Sequence, residues 1–196
     1  LLGWSPRGEY AEQEIFSLDE LRKVWSPDGI SKSPAIFDPL KLRAINAAYI
    51  RALPAEEFRK LADPFIDQAV HVQIDRDLLC ANLQPRCEVL EDIPPQLDFF
   101  DAVLPIDAEM YRNKKQKTTP ESAKEALSAL LPVLEAQTDW SRDAIFEACK
   151  QKAEAMEKKN GWLLFPLGIA LSGKARTPGG GTDLAAMMGR EETLRR

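Results

Sequence analysis

Apolar residues recur at helical spacing along most of this chain, and capping residues punctuate them. In SLDELRKVW, Ser17 and Glu20 have capping-box spacing, while Leu18, Leu21 and Trp25 share one face, which Asp28 and Gly29 close. Residues 39–53 follow an Asp38–Pro39 start and carry a stripe of Leu42, Ile45, Tyr49 and Leu53. A shorter helix is expected from Pro54, stopped by Pro64, and two short helical pieces should flank Pro85, the second broken by Pro94–Pro95. Thr119 and Pro120 open a helix with Ala123, Leu127, Leu130, Leu131 and Leu134 on one side. Ser141 caps the next, with Ile145, Phe146, Cys149, Ala153 and Met156 inward, and Asn160–Gly161 should close it. A last helix is expected near Thr182, carrying Leu184, Met187 and Met188. The pattern predicts an all-α fold of two helical subdomains, with the break around Val103–Thr118.

At 196 residues the chain can bury a substantial core. Its longest apolar runs, such as Trp162–Leu167, are too short to span a membrane. The start LLGWSP lacks Met and reads as the middle of a longer protein. It also lacks a basic region followed by an apolar stretch, so no secretory signal is expected. Cys80, Cys87 and Cys149 then read as reduced thiols of a cytoplasmic protein. The lone histidine, His71, sits among valines in AVHVQI and reads as a strand or core residue. One histidine and no CxxC spacing leave most zinc sites and any histidine-based triad without their parts, so neither a metal nor a catalytic site is expected. The paired Glu56 and Glu57 sit in a helix first turn, where they favour the helix dipole.

A net charge of −5 weighs mildly against nucleic-acid binding, yet the basic residues cluster. Arg112, Lys114, Lys115 and Lys117 form one run, Lys174 and Arg176 a second, Arg195 and Arg196 a third. Clusters like these most often form a solvated face.

Two places break local rules. If Pro85 opens a helix, Arg86 stands at its positive end, where a cation is unfavourable, so a partner is expected: Glu88, Glu91 or Asp92, or a ligand. Arg142 breaks the same rule. The second place is LSGKARTPGGGTDL, Leu171 to Leu184, where bare glycine backbone runs into a helix start. Such a loop is either a flexible turn or a place where free N–H groups and an open backbone receive a flat or anionic ligand. It is not a nucleotide-binding P-loop, because its lysine precedes the glycines.

The motifs LLGWSP at 1–6, EIFSLDEL at 14–21, ISKSPAIFDPLKL at 30–42 and NAAYIR at 46–51 come in that order. LQPRCEVLEDIPPQLDFF at 83–100, LSGKARTPGG at 171–180 and MGREETLRR at 188–196 follow. As a set they resemble the C-terminal part of bacterial glutamyl-tRNA synthetases, which are class I aminoacyl-tRNA synthetases. The resemblance implies a remnant of the stem-contact region at 1–50 and helical anticodon-binding subdomains at 51–118 and 119–196. It implies that ATP and magnesium belong to a catalytic domain outside this chain; SKS at Ser31–Ser33 sits after GWSP and is not the ATP-binding motif. The partner implied is tRNA-Glu and, in some members, also tRNA-Gln.

By the same resemblance Arg86 contacts the third anticodon base, its donors suiting acceptors on a cytosine edge. Thr177 and Pro178 fall on the loop that packs against the bases, which would explain its bareness. Lys174 and Arg176, with Lys114, Lys115 and Lys117, would hold the tRNA backbone. Gly168 departs from the pattern: many members carry an anticodon-contacting arginine there, and its absence weakens the expected readout of the middle base. The competing expectation is an all-α protein-interaction module that binds no RNA.

Overall fold

A computed structural model describes residues 3–33 and 36–196. Leu1 and Leu2 of the first motif, and Pro34 and Ala35 of the third, lie outside the described residues. The elements are α1 (Leu18–Val24), α2 (Pro39–Ala52), α3 (Ala55–Ile66), α4 (Arg76–Leu83), α5 (Pro120–Ala136), α6 (Arg142–Ala155), α7 (Asn160–Ser172) and α8 (Gly181–Arg195). Short 3-10 turns join them, and isolated bridges are the sole extended pairings among the described residues. The fold is all-α, as the periodicity predicts.

The capping chemistry predicted from sequence is in place. Ser17 and Glu20 form the capping box of α1, Asp38 caps α2 ahead of Pro39, and Thr119 caps α5 ahead of Pro120. Ser141 accepts from the Ala144 amide to start α6.

Four local expectations are corrected. Pro64 does not stop α3, which runs on to Ile66. Phe58, Ala62 and Ile66 recur every fourth residue on its buried face, and their burial outweighs one lost backbone bond in the last turn. Pro85 opens only a 3-10 turn, Gln84–Arg86, so Arg86 is not at the positive end of a helix. Asn160–Gly161 begins α7 rather than closing α6; α6 ends instead at Met156, followed by Glu157 with a left-handed φ of 55°. His71 is exposed, not core; its ring meets the Asp101 carboxylate, which also accepts from the His71 and Val72 amides.

Helix α7 reads NGWLLFPLGIALS, apolar on every face, and α5, α6 and α8 surround it. A helix packed against three others presents no polar stripe, so no period marks it in the sequence. Around it one core runs continuously from Ile50 and Phe58 through Phe99 and Leu130 to Met188, across the segment Val103–Thr118. Cys80, Cys87 and Cys149 are free and buried in it, and burial pushes each thiol up to about 11.

The N-terminal part behaves differently. The stripes expected to be buried there are largely exposed: Leu18, Trp25, Leu42 and Tyr49 face outward, with Ile36, Phe37 and Leu40 beside them. In α2 it is Ala47 and Ile50 that are buried.

The basic pair at the end also divides. Helix α8 breaks at Gly189, whose φ of 78° suits glycine, and the chain folds back. Arg195 stays exposed, while the Arg196 side chain is 1% exposed. Its guanidinium donates to the carbonyls of Phe99 and Leu171, both at 2.6 Å, and of Phe100 at 2.9 Å. It also pairs with Glu192. Arg196 therefore ties the segment after Pro94–Pro95 to the end of α7.

Candidate nucleic-acid interface

Arg86 is placed by its neighbours. Asp75 caps α4, whose end carries the 3-10 turn. Gln84 anchors that turn by donating to the carbonyls of Ile50 and Leu53 at 3.0 and 2.8 Å, and Cys87 is buried just after it. Arg86 itself is exposed. Two of the three carboxylates expected as its partners are engaged elsewhere, because Arg43 pairs with both Glu88 and Asp92, and Glu91 does not pair with it either. Arg86 instead crosses to the glycine loop. Its Nη1 donates to the carbonyl of Pro178 at 3.0 Å and, more weakly, to that of Thr177 at 3.3 Å. The two places that broke local rules in the sequence are thus one place in the fold.

The loop starts where α7 ends at Gly173, left-handed at φ 65°. Ser172 Oγ donates to the Gly168 carbonyl at 2.6 Å and accepts from the Lys174 amide at 3.1 Å. Thr177 Oγ1 donates to the Gly179 carbonyl at 2.6 Å, closing the turn over a buried Pro178. Lys174 is already occupied: it donates to the Pro95 carbonyl at 2.8 Å and pairs with Asp98. Arg176 is exposed.

The glycines have an internal reason as well. A Cβ on Gly181 would lie 2.6 Å from the Leu164 carbonyl oxygen and 2.9 Å from the Gly168 amide nitrogen. Bare backbone here lets α8 begin against α7. Gly181→Ala is therefore expected to destabilise the fold by about 1–3 kcal/mol through overpacking against backbone that cannot yield. Gly168→Ala, whose Cβ would meet nothing nearer than 3.6 Å, should melt close to wild type. Thermal melts of both variants check this, and equal melts would refute the packing account. The α8 start is also less open than the sequence implied: the Gly180 amide donates to Asp183 Oδ2 at 2.7 Å, so a carboxylate already sits there.

Between α6, α7, the glycine loop and the Arg86 turn lies a cleft of about 790 Å³. It brings together Arg86, Gly168, Lys174, Arg176 and Thr177. Lys114, Lys115 and Lys117 do not line it; they are exposed on the neighbouring Asn113–Thr118 turn, which contributes Gln116 instead. Sequence reasoning missed the half-buried Phe146 and Phe165 on its walls and the role of Arg142. The signal for Arg142 was present, since a cation at the first position of α6 is out of place. The aromatic pair gave none, because Phe146 fits a core stripe equally well. The cleft lining combines Arg86, Arg142, Lys174 and Arg176 with Phe146 and Phe165, cations and aromatic rings of the kind on which unpaired nucleic-acid bases stack. Among the described residues no cluster of His, Cys, Asp or Glu could hold a metal ion, and no helix is long and apolar enough to cross a membrane.

Residues 46–196 match the family described as the anticodon binding domain. The glutamate–tRNA ligase of Clostridium botulinum strain Hall is 43% identical over 196 residues, covering all of this chain and 40% of that protein. That of Clostridium kluyveri is 39% identical over the same coverage. A solved glutamate–tRNA ligase from Elizabethkingia meningosepticum, in complex with its amino acid, superposes with a TM-score of 0.82 at 25% identity, covering all of this chain and 38% of that one. One from Elizabethkingia anophelis gives 0.76 at 24% identity, covering 37% of that chain. This chain thus spans about 40% of the length of the curated relatives it matches. With a family match over most of its length, and Arg86 and the glycine loop meeting at one cleft, the chain belongs to the anticodon-binding domain family.

Proposed function

We propose that this chain is the tRNA-reading part of a glutamate–tRNA ligase, and that its cleft receives the anticodon of tRNA-Glu. The observation that carries this is the hydrogen bond from Arg86 to the Pro178 carbonyl, across 92 residues of sequence. It holds an exposed guanidinium at the mouth of an aromatic-walled cleft. Among the described residues, Arg86 Nε and Nη2 make no hydrogen bond, so they are free to donate to a base. Thr177 lines the same cleft, and the buried Pro178 beside it supplies the carbonyl that holds Arg86. Arg176 and, once released from Asp98, Lys174 would meet phosphates; Lys114, Lys115 and Lys117 would extend that contact along the tRNA.

In this reading residues 1–50 serve the stem-contact region, and 51–118 and 119–196 the two halves of the anticodon reader. The exposed apolar face of α1 and α2 would be covered by the remainder of the longer protein, which would hold ATP and magnesium and work in the cytoplasm.

The test is a titration at one fixed salt concentration with tRNA-Glu, tRNA-Gln, and tRNA-Glu changed at its third anticodon base. Preference for the first supports anticodon reading. A folded sample that binds none of them, and no salt-sensitive RNA at all, overturns the proposal in favour of a protein-interaction module. Changing both Lys114 and Lys115 to Ala should weaken every tRNA alike and lower the slope of log K against log salt by roughly 1–2. An unchanged slope would place that turn outside the interface.

A further inference from the structure

We propose that Arg142 and Phe146 form a stacking shelf for one unpaired nucleobase, with Asp183 holding the shelf in place. This rests on the tRNA-reading function above. The Arg142 guanidinium carbon lies 5.3 Å from the centroid of the Phe146 ring, and both side chains line the cleft with Arg86. The guanidinium lies over the ring within cation–π range, and with 43% of its side chain still exposed it is accessible to a ligand. Arg142 Nε donates to Asp183 Oδ1 at 3.0 Å, and the other oxygen of that carboxylate accepts from the Gly180 amide at 2.7 Å. Asp183 is 15% exposed, so it is a firm anchor that ties the shelf to the start of α8. Arg142 Nη1 donates to Asp143 at 2.8 Å.

These carboxylates decide the kind of ligand. Two anions beside one cation leave the immediate surroundings net negative, which disfavours a phosphate. What remains on offer is a flat, polarisable face, suited to a neutral base, since unstacked bases lie on guanidinium planes as well as on aromatic rings. The shelf thus differs in kind from Arg176, which pairs with no carboxylate among the described residues, and it adds to the anticodon contact a residue that acts by its plane and not by its charge.

The experiment uses this 196-residue chain and RNA hairpins carrying the tRNA-Glu anticodon stem and loop, each loop base in turn made abasic. Arg142→Lys keeps the charge and loses the plane. It should bind the intact hairpin ~10-fold more weakly with the salt slope unchanged. That penalty should vanish on the one hairpin that lacks the stacked base. Phe146→Leu keeps apolar volume and should give the same single-position pattern, a check should either variant melt early. A penalty equal on every abasic hairpin, or none on any, overturns the shelf while leaving the tRNA reading intact. A wild-type chain that binds no hairpin and no tRNA overturns both.

Discussion

Arg86→Ala is expected to weaken binding of tRNA-Glu by about 1–3 kcal/mol and to relax preference at the third anticodon base alone. The size follows from the geometry. Nη1 is spent on the Thr177 and Pro178 carbonyls, which fix the direction of the fork and leave its remaining N–H groups for a base edge. A base without acceptors there would leave those donors unpaired, which is where discrimination arises. Arg86→Lys restores the charge without the fork and should recover little preference. The check is a titration of wild type and both variants against all four bases at that position. Equal losses for all four would show that Arg86 supports the loop without reading a base. Its effect on stability should be small, since Arg86 is itself exposed and water can replace its donors.

The largest effect on stability is expected at Arg196. Arg196→Met keeps much of the volume but leaves the Phe99, Phe100 and Leu171 carbonyls without their donor. Each such group costs ~1–3 kcal/mol when buried, and partial rehydration limits the sum, so a loss of about 3–5 kcal/mol is expected. For a chain of this size that lowers Tm by roughly 10 °C. An unchanged melt would refute this account of the guanidinium.

The same cluster gives a pH signature. Hydrogen bonds from Arg195 first, and then from Arg196, hold the Glu192 carboxyl down to about 2 from an ordinary 4.5, against a burial that opposes ionisation. A carboxyl lowered in the folded state stabilises fully above pH 4.5 and loses that contribution as pH falls from 4.5 toward 2. Glu192→Gln should flatten stability across that window, measured by denaturant melts at stepped pH; an identical acid limb would show that Glu192 is not its source.

Local signals carried most of the helix starts. Ser17, Asp38, Thr119 and Ser141 each need only their own side chain and the next turn to do their work, so they are legible without a partner. Proline and glycine were less faithful guides. Pro64 and Asn160–Gly161 read as stops, but burial of Ile66 carries α3 past the first, and helix α7 begins at the second. Helix α7 itself has no polar stripe to detect, because three other helices pack around it and its remaining side is the apolar wall of the cleft.

The site divides in the same way. In the sequence Arg86 stood out through a helix-dipole argument that the 3-10 turn removes, and the loop around Thr177 and Pro178 through its bare glycines, each in its own place. Their contact across 92 residues was not, because charge patterning offers Arg86 nearer carboxylates, and only the fold hands Glu88 and Asp92 to Arg43. Arg195 and Arg196 are alike in the sequence; the reversal at Gly189 buries one and leaves the other in water. The sequence alone determined what depends on neighbours within a turn or two: caps, helical faces, the all-α class and the motifs of the family. Tertiary structure alone decided which faces are covered, which charges are spent internally and which side chains share the cleft, because those depend on which distant surface folding presses against each residue.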